Sequence, residues 1–126
     1  MLPPTIETDA QEGDLFDPLT RALNTEGLRV RAGALLDRAK RYRGTLAVAV
    51  VRIDGMEALR AAQGPPFAEH VLCETAARLT AAAGEGAVIG RADDATFVAV
   101  LGDVTREQAE DRMSALRTAV EGEPIR

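Results

Sequence analysis

Hydrophobic side chains recur between residues 25 and 43 at steps of three and four. Leu28, Ala32, Leu35, Ala39 and Tyr42 therefore share one face of a helix, and Gly44 stops it. From Leu46 the pattern changes. Leu-Ala-Val-Ala-Val-Val-Arg-Ile is nearly continuous apolar to Ile53, which predicts a central strand covered on both faces, ended by Asp54-Gly55. A short helix over 56–63 follows and is closed by Gly64-Pro65-Pro66. A second long helix over 67–83 turns Phe67, Val71, Leu72, Ala76 and Leu79 inward. Two β-prone runs, 87–91 and 96–101, then flank Ala92-Asp93-Asp94-Ala95. Asp bonds its own backbone and tolerates tight turns, so these runs form a hairpin. A last helix from Thr105 to about Val120 buries Val104, Ala109, Met113, Leu116 and Val120. Gly122 ends it, and Pro124-Ile125-Arg126 reads as the start of a further strand.

Upstream, Met1 to Asp14 is polar, acidic and aperiodic, as a flexible tail or the end of a linker would be. In Asp17-Pro-Leu-Thr-Arg-Ala-Leu-Asn24, Asp17 is placed to cap a short turn and Pro18 to sit in its first position. The order strand, helix, helix, strand, strand, helix predicts an α/β fold with helices packed on a mostly antiparallel sheet.

Composition narrows the function classes. A chain of 126 residues suits one domain. With Phe 3, Tyr 1, Trp 0 and a net charge of −5, it lacks both the stacking platforms and the positive field that nucleic acid needs. Cys73 is the sole cysteine, so an internal disulfide is excluded and a reducing cytoplasm fits. No apolar run reaches the roughly 18–20 residues that span a bilayer, and the N-terminus has no signal pattern, so neither membrane nor export is expected. Arg29, Arg31, Arg38, Lys40, Arg41 and Arg43 gather on the first long helix; a solvated face favoured by the helix dipole is a plainer account than a phosphate site. His70 has no second ligand at metal spacing, and Cys73 reads as a packed side chain.

Three segments in order and at the right spacing resemble one family, the GGDEF domains of diguanylate cyclases. Asp17-Pro-Leu-Thr-Arg-Ala-Leu-Asn24 is similar to their D-x-L-T-G-L-x-N, Val51-Arg-Ile-Asp54-Gly-Met-Glu to their strand-end D-I-D-x-F-K, and Arg91-Ala-Asp-Asp-Ala-Thr-Phe97 to their hairpin R-x-G-G-D-E-F. The resemblance covers residues 15–126. It implies a ferredoxin-like palm of the nucleotidyl cyclase type and condensation of two GTP into cyclic di-GMP across a domain dimer. That chemistry needs carboxylates holding Mg²⁺ against the triphosphate. The family takes them from the first Asp of D-I-D and from the hairpin acids.

This chain departs at those positions. Arg52 stands at the first metal-ligand position, leaving the Ile53 carbonyl and Asp54 as the only donors there. Asp93 and Asp94 replace the Gly-Gly that lets a backbone approach phosphate, and Ala95 and Thr96 replace the two acids. Two carboxylates beside a triphosphate repel it by on the order of 4 kcal/mol per charge pair at about 4 Å, with Arg52 a partial offset. The guanine-reading Asn and Asp of the family map onto Arg60 and Glu69; an acid in a first helical turn is also favoured by the dipole alone. The product-inhibition R-x-x-D maps onto Gly84 and Ala87, so that site is not expected, whereas Arg91 matches. The family's later strand and helix, with their phosphate-binding Lys, fall beyond Arg126, which would leave the strand at 46–53 with an unpaired edge; the expectation is either a fragment of a longer protein or a sheet completed by another copy or a partner.

The sequence therefore predicts a degenerate, C-terminally truncated GGDEF domain over 15–126. It is expected to be catalytically inactive and to serve as a regulatory or protein-interaction module, partnered by another protein or by itself. The alternative is a GTP sensor that binds without turnover through Glu69, Arg60, Arg91 and Asp94; an active cyclase ranks third. No cofactor is expected, and Mg²⁺ only if nucleotide binding survives, then through Asp54 and the Ile53 carbonyl.

Overall fold

Asn24 starts the first long helix. Its side chain accepts a hydrogen bond from the Gly27 amide at 2.8 Å, capping α1 (Thr25–Tyr42). The computed structural model describes residues 14–122 together with 124 and 125. After α1 come β1 (Leu46–Arg52), α2 (Met56–Gln63), α3 (Pro65–Ala83), β2 (Val88–Asp93), β3 (Thr96–Gly102) and α4 (Arg106–Glu121). α4 opens on a capping box in which Thr105 and Gln108 satisfy each other's amides.

The three strands form one antiparallel sheet in the order β1-β3-β2. The inward side of the sheet, with Ala49, Val51, Phe97, Ala99, Leu101 and Ile89, joins Leu72, Ala76 and Leu79 of α3 and Leu116 of α4 in a single core. Phe97, Leu72, Leu79 and Leu116 are fully buried, each contributing roughly 1.5–3 kcal/mol through burial. On the opposite side α1 lies mainly against β2. Gly90 allows that approach: a Cβ there would come within 2.8 Å of Leu28 Cδ1 and 2.9 Å of Leu28 Cβ. Gly27 makes a second close passage, since a Cβ on it would meet the Leu15 carbonyl oxygen at 2.1 Å.

The α/β fold with helices on an antiparallel sheet is as the sequence predicts, but several details differ. Among the described residues β1 lies at the edge of the sheet rather than at its centre, and only one of its faces is covered: Val48 and Val50 are 58% and 67% exposed. An apolar run does not distinguish a strand with two covered faces from one with an open side. Because α1 lies over β2, it leaves the outer face of β1 bare. Tyr42, expected inward, ends α1 exposed. α1 stops one residue early, with Arg43 rather than Gly44 in the left-handed region (φ 56°). α3 begins at Pro65, because proline is tolerated where a helix has no amide partner to lose. Residues 124 and 125 lie in no strand, and Ile125 packs against the core instead. The expected tail lies, apart from Asp14, outside the described residues. Among the described residues no helix is long and apolar enough to cross a membrane.

Candidate functional site

Backbone pairing draws the three motifs to one end of the sheet. Leu23 donates to the Ile89 carbonyl at 3.0 Å and accepts from the Arg91 amide at 2.7 Å, stitching the segment after Asp17 onto β2. The Ile53 amide donates to the Ala95 carbonyl at 2.8 Å, tying the end of β1 to the hairpin tip. Arg52 lies directly across from Thr96. The hairpin turns through Asp94 and Ala95, and a register shift between Arg91 and Asp93 leaves Ala92 as an extra residue. Such bulges re-aim the side chains beside them.

The side chains at this tip satisfy one another. Asp94 is gripped by Arg60 of α2 in a two-pronged pair, Nη1 to Oδ2 at 2.6 Å and Nη2 to Oδ1. The same Oδ1 accepts from Arg91 Nη2 at 3.2 Å, and the Asp94 carbonyl accepts from that nitrogen at 2.9 Å. The remaining prong of Arg91, Nη1, reaches Asp17 Oδ2 at 3.2 Å; both side chains are largely buried. Asp17 also accepts from the Thr20 amide at 2.9 Å and its hydroxyl at 2.7 Å, the turn cap read from the sequence. Asp93 Oδ1 takes the Ala95 amide at 3.1 Å.

Charge states follow from these contacts. The Arg60 hydrogen bonds hold the Asp94 carboxyl below the usual carboxylate range, and Asp94 in turn raises Arg60, with weaker help from Glu57 and Glu69. Hydrogen bonds from Thr96 and the Ala95 amide lower Asp93, and the charge of Arg52 adds to them. Burial pushes Asp17 up, but the Thr20 and Arg91 hydrogen bonds outweigh it and the net direction is down.

Of the residues singled out in the sequence, Arg52, Arg60, Arg91, Asp93, Asp94, Ala95 and Thr96 thus meet at the tip. Asp54 and Glu69 are exposed and form no ion pair among the described residues. Glu69 lies beyond the first turn of α3, which holds no acid, so the dipole argument for an acid at its start does not apply. Among the described residues no three His, Cys, Asp or Glu side chains cluster closely enough to hold a metal ion. Sequence reasoning missed the Arg60–Asp94 and Arg91–Asp17 pairs, which join residues 34 and 74 positions apart. It also passed over Arg21, which adopts φ 69° where the resembled motif has glycine. A bulky residue at that glycine position was the available signal.

Comparison with known proteins supplies the family. The family model described as "Diguanylate cyclase, GGDEF domain" matches residues 14–125. No curated protein sequence matches the chain. Among solved structures, the fold is similar to diguanylate cyclase SiaD of Pseudomonas aeruginosa, in complex with its activator SiaC, with TM-score 0.84 and 21% identity over 98% of this chain and 47% of that one. It is similar to the FimX GGDEF domain of the same organism, with TM-score 0.78 and 26% identity over 86% of this chain and 67% of that one. The coiled coil and GGDEF domain of Caulobacter crescentus DgcB, in complex with c-di-GMP, gives TM-score 0.84 and 16% identity over 98% and 64%. The chain thus spans about half to two thirds of the length of these three proteins. With a family match over nearly all the described residues and the three motif segments meeting at one end of the sheet, the chain belongs to the GGDEF-domain family.

Proposed function

We propose that this GGDEF-family domain does not condense GTP and acts as a regulatory or protein-interaction module in bacterial cyclic di-GMP signalling, in the cytoplasm. One observation carries the reading: the charges at the hairpin tip are spent on each other, Arg60 and Arg91 on Asp94, and Arg91 on Asp17 as well. The residues present do not fit magnesium. A guanidinium stands at the first ligand position, the acids of the hairpin signature are Ala95 and Thr96, and at the end of β1 only Asp54 and the Ile53 carbonyl offer oxygen, while Asp94 is engaged by Arg60 and Arg91 and Asp93 by the Ala95 amide.

Interaction is supported by what the fold leaves open. The outer edge of β1 pairs with no strand among the described residues, and a groove of about 610 Å³ runs along it between Val50, Val51, Met113, Val120 and Ile125. The fold's likeness to SiaD, solved with a protein activator, is consistent with interaction.

Incubation with GTP and Mg²⁺ is expected to yield no cyclic di-GMP by chromatography; product that scales with protein concentration would overturn the reading. A second reading, nucleotide binding without turnover, is favoured by the exposed Glu69 carboxylate, which is open to a guanine edge. Calorimetric heat with GTP that vanishes in Glu69→Ala would establish it.

A further inference from the structure

We propose that Asp94 is a built-in anion, occupying a site made by Arg60 and Arg91 that takes a phosphate-class oxyanion once the carboxylate is withdrawn. The inference deepens the reading of the tip as internally satisfied. Arg60 comes from α2 and Arg91 from β2, yet both guanidiniums converge on a single oxygen, Asp94 Oδ1. A forked pair of arginines on one acceptor is the arrangement that recognises phosphate. Arg91 is not free to swing away, whereas Arg60 reaches the site from α2 with Asp94 as its ion-pair partner. Arg91 is anchored by Asp17, itself held by Thr20, and its Nε and Nη2 also bond the Asp94 carbonyl at 3.3 and 2.9 Å. Those carbonyl contacts come from the backbone, so they can persist when the Asp94 side chain is replaced. The site is thus preorganised on its Arg91 side and self-occupied: an incoming oxyanion competes with a carboxylate tethered at the same point. Asp93 does not compete for it, because its own acceptor capacity goes to the Ala95 amide and Thr96.

Metal-free calorimetry with inorganic pyrophosphate tests this. Asp94→Asn removes the charge while keeping the shape of the turn. It is expected to bind at least about tenfold more tightly than the intact chain, the ratio that follows from freeing two charge-assisted donors. Asp93→Asn changes net charge equally, two atoms of backbone away, and is expected to gain less than about twofold. Adding Arg60→Gln to Asp94→Asn is expected to abolish the gain. Equal gains in Asp93→Asn and Asp94→Asn would reduce the effect to bulk charge and overturn the proposal, as would a gain that survives Arg60→Gln. Should Asp94→Asn melt well below the parent, Asp94→Ser serves the same comparison, and absence of tighter binding in both refutes the site. Failure here leaves the absence of turnover untouched, while cyclic di-GMP formed by the intact chain would sink that reading without bearing on pyrophosphate.

Discussion

Gly90→Ala tests how α1 is seated on the sheet. The added Cβ would lie 2.8 Å from Leu28 Cδ1, 2.9 Å from Leu28 Cβ and 3.1 Å from Leu28 Cγ. The δ-methyl could rotate, but Cβ is fixed to the helix backbone, so α1 itself must move outward by several tenths of an ångström. Overpacking of this kind costs about 1–3 kcal/mol. Replacing glycine within a strand returns about 0.5–1 kcal/mol by restricting the unfolded chain, leaving a net loss centred on about 1 kcal/mol. For a domain of this size that lowers Tm by roughly 2–8 °C. Thermal unfolding followed by circular dichroism reads the shift. A double-mutant cycle with Leu28→Ala isolates the contact, because truncating Leu28 makes room for the new methyl and should recover more than about 0.5 kcal/mol of the Gly90→Ala loss. A Tm equal to or above the parent, or strict additivity in the cycle, would refute the placement of Leu28 over Gly90.

Arg21→Gly should raise stability by about 0.5–1 kcal/mol in urea unfolding, because a left-handed backbone costs arginine about 1–2 kcal/mol and glycine almost nothing; a loss of stability would contradict the φ of 69°. Phe97→Ala should cost about 3–5 kcal/mol, since the ring is fully buried between sheet and helices, and a loss under about 1 kcal/mol would place it elsewhere. Asp17→Asn should destabilise the chain by about 1 kcal/mol or more at pH 7. Because the folded carboxyl of Asp17 is lowered, its contribution is complete above the unfolded pKa of about 3.9 and drains away as pH falls through the folded value. The gap between parent and variant should therefore narrow as pH falls below about 4, and a gap that stays constant would assign the loss to something other than the ionised carboxylate.

Local physics made the elements legible. Thr105 and Gly122 mark helix ends because termini are set within a few residues, and the hairpin declares itself through two β-prone runs and an Asp pair. What stayed hidden was relational. Val48 and Val50 look like core in a line of valines, and only the offset of α1 toward β2 exposes them. At the tip, the sequence disclosed the charges but not their pairing. Arg60 stood where a base-reading side chain was expected, and Asp94 appeared as repulsion toward phosphate; the fold turns the two into partners. Glu69 illustrates the converse. Its position on α3 depended on whether the helix began at Pro65 or Phe67, and that boundary decides whether the dipole explains it.

Manganese binding, read by electron paramagnetic resonance in the absence of nucleotide, bears most directly on whether the tip accepts a divalent cation. With Arg52, Arg60 and Arg91 balancing Asp93, Asp94 and Asp17, the hexaaqua Mn²⁺ signal should keep its full amplitude as protein is added in excess. Loss of that signal at one ion per chain, abolished by Asp54→Asn, would contradict the account.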